Sequence, residues 1–267
     1  MSLASGSTGN CYFLGTEREG FLIDAGIPLR TIRHTLKAQG IDLNNAVRGV
    51  VVTHDHADHI RMVGALANEC NIPIYATRQV HEAMNHSRFV DRIVGVNNRR
   101  FIDVGKTFGL MDFFLTPFLV PHDSSLNVGY YITTAEDEFS FTLVTDVGHI
   151  TEEITHYARK SQHLVLEANY DKEMLLSGPY PQFLKERVSG PLGHLSNQES
   201  VEFLCSVYHR KMKNVWLCHL SKDNNHPELC RKTFDIRLFN EGIRVGKDLF
   251  LDVLRRNTPS EMYLLQE

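Results

Sequence analysis

The segment at residues 53–59 gathers three histidines and two aspartates directly after the apolar run at residues 50–52. Imidazole nitrogens and carboxylate oxygens are the ligands that zinc and similar divalent metals accept. If the chain stays extended here, alternate side chains project to one side, so that His54, His56 and Asp58 face the same way. Packing alone does not gather so many ligands, so a metal site is favoured over a histidine-rich turn without chemical function.

A helix is predicted to begin within this segment. Asp58 is expected to act as its N-cap, because apolar residues follow at helical spacing. This stripe consists of Ile60, Val63, Leu66, Ala67 and Cys70. The end of the strand then offers His54 and His56 as ligands. The start of the helix offers Asp58 and His59, which are expected to point at a neighbouring position in space.

Further ligands must come from elsewhere, since a site for two metals needs about seven to eight protein contacts. Three candidates each follow a strand-like apolar run. They are His122 after residues 118–121, Asp146 after residues 141–145, and His219 after residues 215–218. Open α/β sheets place their ligands at the carboxyl ends of strands. Each residue alone is more often an ordinary polar residue at a strand end, but the three together favour a shared site.

The spacing His-x-His-x-Asp-His at residues 54–59 resembles the signature of the metallo-β-lactamase superfamily, and the resemblance extends over nearly the whole chain. It implies an α/β (α+β) fold, a four-layer αββα sandwich with the metals at one edge between two sheets; periodicity alone indicates only α/β. Asp24 resembles the strand-end aspartate that orders the metal loop in this superfamily. The resemblance also implies the ligand sets: His54, His56 and His122 for one metal, Asp58, His59 and His219 for the other, and Asp146 as a bridge.

The implied metals suggest a reaction class. Two divalent ions carry more positive charge than Asp58, Asp146 and one hydroxide neutralise, so the pocket suits an anionic substrate or a developing oxyanion. A metal pair also activates a water near neutral pH. Zinc, manganese and iron all accept these ligands. The sequence therefore predicts a hydrolase with two divalent metal ions.

Two further residues bear on the branch of the superfamily. His194 stands before a predicted helix that starts with a capping box, Ser196-x-x-Glu199, and resembles the histidine with which nucleic-acid-processing members protonate a departing ribose oxygen. Glu167 ends an apolar strand, and residues 166–169 are similar to the His-Glu-Ala-Thr segment of the ribonuclease Z family, whose glutamate orients that histidine. Leucine and asparagine replace its histidine and threonine, so this match is partial; a loop histidine and a surface carboxylate are the alternatives. The candidate catalytic residues are Asp58, His194 and Glu167.

Three segments together resemble the YycJ/WalJ group, compact bacterial metallo-β-lactamase-fold proteins regarded as exonucleases acting on DNA. They are Ser-Leu-x-Ser-Gly-Ser-x-Gly-Asn from Ser2, Gly-His-Leu-Ser-Asn from Gly193, and His-Leu-Ser-x-x-Asn-Asn from His219. The segment between Asp146 and His219 is too short for the inserted domain of the β-CASP nucleases. Residues 1–267 are therefore expected to form one domain without that insertion.

Two stretches are candidates for contacts to a substrate. The Ser/Gly loop at residues 5–10 offers backbone N–H groups and hydroxyls suited to phosphate, although an ordinary N-terminal turn is an equal alternative. Its candidate phosphate-binding residues are Ser5, Ser7 and Asn10. Tyr180 and Phe183 precede His194 and suit stacking on an unpaired terminal base. A buried hydrophobic plug is the commoner role of such a Pro/aromatic loop.

Composition places limits on location and partners. No apolar stretch approaches the roughly 20 residues that span a bilayer, and the first residues lack the basic start and apolar core of a signal peptide. Five scattered cysteines without a C-x-x-C pair indicate reduced thiols and a cytoplasmic location. The net charge of −4 gives no overall attraction for nucleic acid, so such a surface must be local. Basic residues such as Lys185 and Arg187 usually belong to a solvated face.

Strands and helices alternate in the elements that must position these residues. A hairpin at residues 12–23 is followed by a helix from Pro28, and residues 101–146 are predicted to be β-rich. Turns are predicted in that region at Gly109, near Ser124 and at Asp137. The C-terminal half is predicted to contain a helix from Thr151, a strand at 163–166, a helix from Ser196, a strand at 215–218, a helix from Pro227 and a strand at 249–254.

The sequence therefore predicts a phosphodiesterase with two divalent ions (zinc, manganese or iron) that digests nucleic acid, DNA from a 5′ end. Two alternatives stay open. A small-molecule hydrolase, either a thioesterase of glyoxalase II type or a lactonase, shares the ligand spacing but has no need of His194 and Glu167. A protein that holds metals and only binds nucleic acid is disfavoured, because no ligand position is missing.

Overall fold

One sheet is built from the N-terminal part of the chain, in a computed structural model that describes residues 1–135 and 139–265. Its strands, in spatial order, are β1 (Ser2–Ala4), β2 (Cys11–Gly15), β3 (Gly20–Ile23), β4 (Val47–Val51), β5 (Ile74–Ala76) and β6 (Arg99–Phe101). The strands from β1 to β3 pair antiparallel, and those from β3 to β6 pair parallel. The carboxyl ends of β3 and β4 therefore lie at the same end of the sheet.

The second sheet follows in the chain. Its strands are β7 (Phe108–Leu110), β8 (Phe113–Leu119), β9 (Val128–Thr134), β10 (Ser140–Val144), β11 (His163–Glu167), β12 (Asn214–Cys218) and β13 (Phe250–Val253). Neighbours from β7 to β10 pair antiparallel, and neighbours from β10 to β13 pair parallel. As a result β8, β10, β11 and β12 all finish at one end of this sheet.

Both faces of central strands such as β3, β10 and β11 are buried, which is why these strands are mostly apolar. In β3, Phe21 and Ile23 pack against the second sheet, whereas Leu22 faces helices on the outside. In β11, Val165 packs between the sheets and its neighbours Leu164 and Leu166 face the opposite side. Successive side chains of a strand point to opposite faces, so each sheet requires a partner layer on both sides.

Helices supply the two outer layers. They are α1 (Leu29–Ala38), α2 (Leu43–Ala46), α3 (Ala57–Ile60), α4 (Val63–Glu69), α5 (Arg78–His86), α6 (Glu152–Ala158), α7 (Lys172–Ser177), α8 (Gln182–Val188), α9 (Asn197–Val207) and α10 (Pro227–Asn240), with a 3₁₀ turn at Val96–Asn98. Buried residues of α1, α4 and α5 cover the first sheet. Those of α6, α9 and α10 cover the second. The predicted four-layer αββα fold is thus confirmed.

Local capping signals set the starts of the helices in the second half of the chain. The Thr151 hydroxyl accepts a hydrogen bond from Ile154 N at the start of α6. At α9 the Ser196 hydroxyl accepts from Glu199 N, and the Glu199 carboxylate accepts from Ser196 N, which completes the capping box. Proline at the first position begins α10. The helices predicted from Thr151, Ser196 and Pro227 are confirmed.

The helix after the histidine-rich segment starts earlier than predicted. α3 begins at Ala57 with His56 as its N-cap, so Asp58 lies inside the first turn and its prediction as the N-cap is wrong. His56 itself makes no side-chain capping bond, so no capping side chain sets the start of this turn. Because Asp58 is not used by the helix N–H groups, its carboxylate is available to neighbouring histidines.

The loop after β3 wraps the single turn of α3. Ala25 N donates to His59 O, and Met62 N donates to Ala25 O, so the backbone around α3 bonds to this loop instead of continuing into α4. Gly26 lies so close to this turn that a Cβ at position 26 would stand 1.6 Å from the Asp58 carbonyl oxygen. Only glycine leaves room for the loop to pass.

Three other expectations differ from the structure or fall outside it. Gly109 lies within β7, and the reversal of the chain occurs at Met111, which has a φ of 57°. The turn near Ser124 is present between β8 and β9, whereas Asp137 lies outside the described residues. The Pro/aromatic loop expected at residues 178–183 is present at residues 178–181, between α7 and α8, whereas Gln182 and Phe183 belong to the first turn of α8.

The five cysteines are unpaired, and Cys11, Cys218 and Cys230 are buried in the core. Cys218 packs between the sheets while the next residue reaches the strand ends. In the described part of the chain, no helix combines the length and the apolar character that a membrane crossing requires.

We expect the substitution Gly26→Ala to destabilise the protein by about 1–3 kcal/mol, because its Cβ forces the loop away from Asp58. Urea unfolding would measure this change. Gly109→Ala is the matched control, since a Cβ there meets no atom within 4 Å and is expected to change stability little. Equal stability of both variants and the parent would contradict the tight approach.

Candidate metal centre

The loops after four strands bring the seven predicted ligands to one place. Residues 54–59 follow β4, His122 follows β8, Asp146 follows β10 and His219 follows β12. Their potential ligand atoms form overlapping groups whose members lie within 4.8 Å of one another. These groups also include Glu167 and His194. Residues that are far apart in the sequence thus form one cluster between the ends of the two sheets.

Three of the aspartate and histidine positions in and around the cluster have left-handed backbones. Asp24, Asp146 and His219 have φ values of 60°, 57° and 55°, and each comes directly after a strand or one residue later. Such conformations are uncommon for residues other than glycine and store strain of roughly 1–3 kcal/mol. They turn the chain sharply at the strand end, which directs these side chains into the space between the sheets.

His54, His56 and His122 form the first group of ligands. His122 Nε2 lies 3.3 Å from His56 Nδ1, and the rings of His54 and His56 have centroids 4.7 Å apart. Two ligands of one zinc ion, with bonds of about 2.0–2.1 Å at a tetrahedral angle, stand about 3.3 Å apart. His54 and His122 have fully buried side chains, and the His56 side chain is 30% exposed at the mouth of the cluster.

Asp58, His59 and His219 form the second group. Asp58 Oδ2 lies 3.6 Å from His59 Nε2 and 3.4 Å from His219 Nε2. Asp146 stands between the two groups: its Oδ2 is 3.3 Å from His59 Nε2, and its Oδ1 is 3.6 Å from His122 Nε2. Its Oδ1 also lies 3.4 Å from His219 Nδ1. Asp146 is therefore close to members of both groups, which is the position that the resemblance implies for a bridging ligand.

Hydrogen bonds on the outer nitrogens orient the rings of the first group. His122 Nδ1–H donates to Gly193 O at 3.0 Å, and His56 Nε2–H donates to Asp123 O at 3.1 Å. The inner nitrogens of these two rings therefore point lone pairs at each other, an arrangement that a shared cation satisfies. His54 Nε2 is buried and has no hydrogen-bond partner among the described residues. A lone pair buried in this way suits a metal ion.

The second group is oriented in the same manner. His59 Nδ1–H donates to Asp24 Oδ2 at 2.7 Å, and His219 Nδ1–H donates to Glu167 Oε1 at 2.9 Å. In both rings Nε2 is left as an acceptor that faces Asp58. A carboxylate behind a histidine is the arrangement that raises the basicity of a metal ligand.

Asp24 also secures the start of the histidine-rich segment. It is fully buried, and its two oxygens accept hydrogen bonds from Thr53 N at 2.8 Å and Thr53 Oγ1 at 2.9 Å in addition to His59. These bonds tie the end of β3 to the start of the histidine-rich segment. Asp55 points away from the cluster, since its Oδ1 accepts from Ser125 N and Ser125 Oγ.

Charges within the cluster shift pKa values in both directions. Burial lowers the pKa of His54 well below its usual value, and His59 adds to this effect. Burial also acts to lower the pKa of His59, but the Asp146 and Asp24 carboxylates outweigh it and raise that pKa well above its usual value. Burial acts to raise the pKa of Asp146, yet the surrounding histidines, His219 first, hold it well below its usual range. A buried cluster whose carboxylates stay ionised and attract positive charge suits divalent metal ions.

His194 and Glu167 lie together beside the second group. The Glu167 side chain is fully buried, and its Oε1 accepts from His194 Nδ1 at 2.9 Å as well as from His219. Its Oε2 accepts from the backbone N–H groups of Val147 and Leu195 at 2.9 and 3.1 Å. Burial acts to raise the pKa of Glu167, but the charge of His194 and its hydrogen bonds hold it at about 2. The His194 side chain is 12% exposed, so the ring has access to the open side of the cluster.

The structure gives two of the three candidate phosphate ligands another role. Ser5 is fully buried, and its hydroxyl contacts Tyr12 and accepts from His219 N at 2.9 Å. Asn10 is also fully buried and places its Nδ2 3.3 Å from Asp58 Oδ2 and 2.9 Å from His59 Nε2. These residues hold the backbone and the ligands in place instead of presenting free donors to a phosphate. Ser7 alone among the three is exposed.

An ion pair at the mouth of the cluster was not predicted. Arg187 Nε and Nη2 donate to the Asp123 carboxylate at 2.6 and 3.0 Å. Asp123 Oδ1 lies 3.4 Å from His122 Nε2. Asp123 directly follows a predicted ligand, which was the only available signal, and nothing in the sequence connects it with Arg187.

Comparisons with known proteins identify the family of this chain. A family model described as a beta-lactamase superfamily domain matches residues 20–219. The exodeoxyribonuclease WalJ of Streptococcus pneumoniae serotype 2 is 33% identical over 251 residues, which cover 92% of this chain and 90% of the relative. The exodeoxyribonuclease YycJ of Bacillus anthracis is 34% identical over 250 residues, with the same shares covered.

A solved structure shows the likeness in fold. Zinc-bound PqqB of Methylobacterium extorquens superimposes with a TM-score of 0.70 at 15% identity, and the match covers 95% of this chain and 96% of the other. At this identity the likeness concerns the fold alone. The sequence matches to WalJ and YycJ extend over most of both chains. The chain therefore belongs to the beta-lactamase superfamily and, within it, to the family of the WalJ and YycJ exodeoxyribonucleases.

Proposed function

We propose that this protein is a metal-dependent phosphodiesterase that digests DNA from its 5′ end. The observation that carries the proposal is the contact between His194 and Glu167, which holds a proton donor beside a cluster of seven candidate metal ligands. A thioesterase or a lactonase needs such a cluster but not this pair. The names of the WalJ and YycJ relatives, both exodeoxyribonucleases, support DNA as the substrate.

Two divalent ions, zinc, manganese or iron, are the proposed cofactors. His54, His56 and His122 would hold one ion, Asp58, His59 and His219 the other, and Asp146 would contact both. When bound, the ions supply Lewis acidity toward phosphoryl oxygens and an activated water. The inward lone pairs of the histidines and the unpartnered His54 Nε2 support this assignment.

His194 and Glu167 have distinct proposed roles. Glu167 accepts the Nδ1 proton of His194, which fixes the orientation of the ring and leaves Nε2 as the atom that gives a proton to the leaving oxygen. Glu167 also stabilises the positive charge on the ring before the transfer. Asp58 acts as a ligand oxygen and not as a separate acid, since its Oδ2 faces His59 and His219.

Three broader expectations remain proposals. Residues 1–267 form one metallo-β-lactamase-fold domain without a β-CASP insertion. The protein works in the cytoplasm, as its unpaired cysteines suggest. Its partner is a nucleic acid, and Ser7 remains a candidate for phosphate contact because it is exposed next to the buried Ser5.

The proposed function can be tested with DNA that carries a 5′ label. The purified protein is loaded with manganese or zinc and offered single-stranded DNA, duplex DNA, RNA and a thioester. We expect early release of a labelled mononucleotide from DNA, and loss of this activity after removal of the metal by a chelator. Cleavage of the thioester alone would support the glyoxalase-like alternative, and no turnover at full metal occupancy would support a binding role.

We expect His194→Ala to lower phosphodiester cleavage by roughly 10²–10⁴, because a general acid is lost. Metal content should stay that of the parent, since His194 is not a proposed ligand. His149→Ala serves as the control: His149 is an exposed histidine in the same region, and its Nδ1–H donates to Pro191 O. If the His194 variant cleaves DNA as fast as the parent, His194 has no part in the reaction.

We expect Asp24→Asn to weaken metal binding by about 10–100-fold, because His59 loses the carboxylate behind its Nδ1–H. Asparagine tolerates the left-handed backbone at this position, so the loop should keep its shape. Affinity is measured by competition with a coloured chelator. Asp55→Asn is the control, since the Asp55 carboxylate bonds to Ser125 away from the cluster. Equal affinities of the two variants would show that Asp24 does not tune the metal ligand.

A further inference from the structure

Helix α8 lies at the mouth of the metal centre and is fixed to the candidate acid. Val188, its last residue, accepts a hydrogen bond from His194 N at 2.8 Å. One side of the helix is packed: Leu184 and Val188 contact Leu175 in a small apolar cluster of their own. The position of α8 relative to His194 is therefore set by both backbone and core contacts.

Arg187 projects from α8 toward the metal ligands. Its guanidinium group donates from Nε and Nη2 to Asp123, and Asp123 Oδ1 stands 3.4 Å from His122 Nε2. A guanidinium group has five N–H donors, and within residues 1–135 and 139–265 no acceptor is found for Nη1. The Arg187 side chain is 48% exposed. Arg187 thus presents unused donors to solvent beside the candidate site of phosphodiester cleavage.

Phe183 lies one helical turn before Arg187, so both side chains are on the same face of α8. Phe183 is 71% exposed. Leu192, 50% exposed, borders the same opening, because its carbonyl oxygen accepts from Asp123 N at 3.1 Å. A single exposed apolar residue needs no explanation. Here Arg187 and Leu192 both contact Asp123, which adjoins His122, and Phe183 shares the face of α8 that carries Arg187.

We propose that Phe183 and Arg187 bind the nucleotide next to the cleaved bond, with Phe183 stacking on its base and Arg187 contacting its phosphate; this rests on the function proposed above. Base–aromatic stacking accepts every base, because each has a π face. A base that is paired inside a duplex cannot offer that face to a side chain. The structure therefore assigns an unpaired strand end as the preferred substrate.

The stacking contact is tested by binding, without cleavage. A fluorescein-labelled single-stranded oligodeoxynucleotide is titrated with the metal-loaded His194→Ala protein, and anisotropy gives Kd. We expect Phe183→Leu in this background to raise Kd roughly 5–150-fold, the loss of one stacked base. Phe183→Tyr keeps the aromatic face and should stay within about twofold of the parent. A Phe183→Leu variant that binds like the parent overturns the proposal.

The control is Phe239→Leu. Phe239 is 70% exposed, nearly the same as Phe183, but lies near the carboxyl end of α10. That position is about 18 Å along the helix from the end that adjoins the metal centre. The same substitution there should leave Kd unchanged. Equal losses from both substitutions would point to a general effect of surface aromatics and would also overturn the proposal.

The phosphate contact is tested by its dependence on salt. We expect Arg187→Gln to weaken binding and to lower the slope of log Kd against log salt by about 0.7, the loss of one contact to single-stranded phosphate. Arg244→Gln is the control, since Arg244 is a 57% exposed arginine paired with Asp248 at the other end of the sandwich. An unchanged slope would show that Arg187 serves only to pair with Asp123. Arg187→Gln leaves the Asp123 carboxylate unpaired beside His122, which could change the metal content. In that case the double variant Arg187→Gln/Asp123→Asn is measured instead, and the slope of its log Kd against log salt tests the phosphate contact.

The outcomes separate this inference from the proposed function. If the parent protein cleaves no phosphodiester but binds the oligonucleotide through Phe183, the proposed function is wrong and the binding site stands. If the parent digests DNA and Phe183→Leu changes neither Kd nor KM, the inference alone is wrong. If the His194→Ala protein binds a blunt duplex as tightly as the single strand, the assignment of an unpaired end is wrong.

Discussion

Three buried carboxylates at one end of the sandwich set the main physical constraint on this protein. Asp24, Asp146 and Glu167 are each at most 1% exposed, at the point where strands of both sheets finish. An ionised group removed from water costs several kcal/mol unless charges and hydrogen bonds compensate. The histidines supply part of that compensation, and bound cations would supply the rest. The same requirement for positive charge makes this end of the fold suited to divalent metal ions.

Glu167 links the metal ligands to the proposed chemistry. One of its oxygens accepts from both His194 and His219, and the other is held by two backbone N–H groups. A single rigid carboxylate therefore positions a candidate metal ligand and a candidate acid at once. Glu167 ends β11, His219 follows β12, and His194 lies in the loop before α9. Because β11 and β12 are parallel neighbours, their carboxyl ends lie side by side, and one carboxylate can reach both histidines.

The metal cluster alone does not define a substrate, because one fold and one ligand set serve many reactions. Specificity must reside in what surrounds the opening of the cluster. In this chain the opening is bordered by α8, by the loop that carries Asp123 and by the loop that carries His194. Arg187 of α8 contacts Asp123 beside His122, and the exposed Phe183 lies one helical turn before it. A cation and an aromatic ring in this arrangement suit a charged polymer with planar bases.

Much of the site could be predicted from the sequence, because residue types and short spacings are local properties. The seven ligand candidates, the strand-end position of Glu167 and the capping box behind His194 are visible as motifs, and alternation of apolar runs indicated the strands and helices. The four-layer arrangement came from a family resemblance, since periodicity does not say which sheet faces which. The predicted start of α3 was wrong because the loop at Ala25, far earlier in the chain, bonds to the backbone of His59 and Met62.

The sequence by itself thus determined which side chains are able to bind metal and carry a proton. Only the tertiary structure decided which nitrogen of each histidine faces inward. It also decided that Ser5 and Asn10 contact the candidate ligands, and that Arg187 forms an ion pair with Asp123. These outcomes depend on hydrogen bonds and ion pairs between residues far apart in the chain. No local pattern encodes such contacts, because they exist only once both sheets have closed around the core.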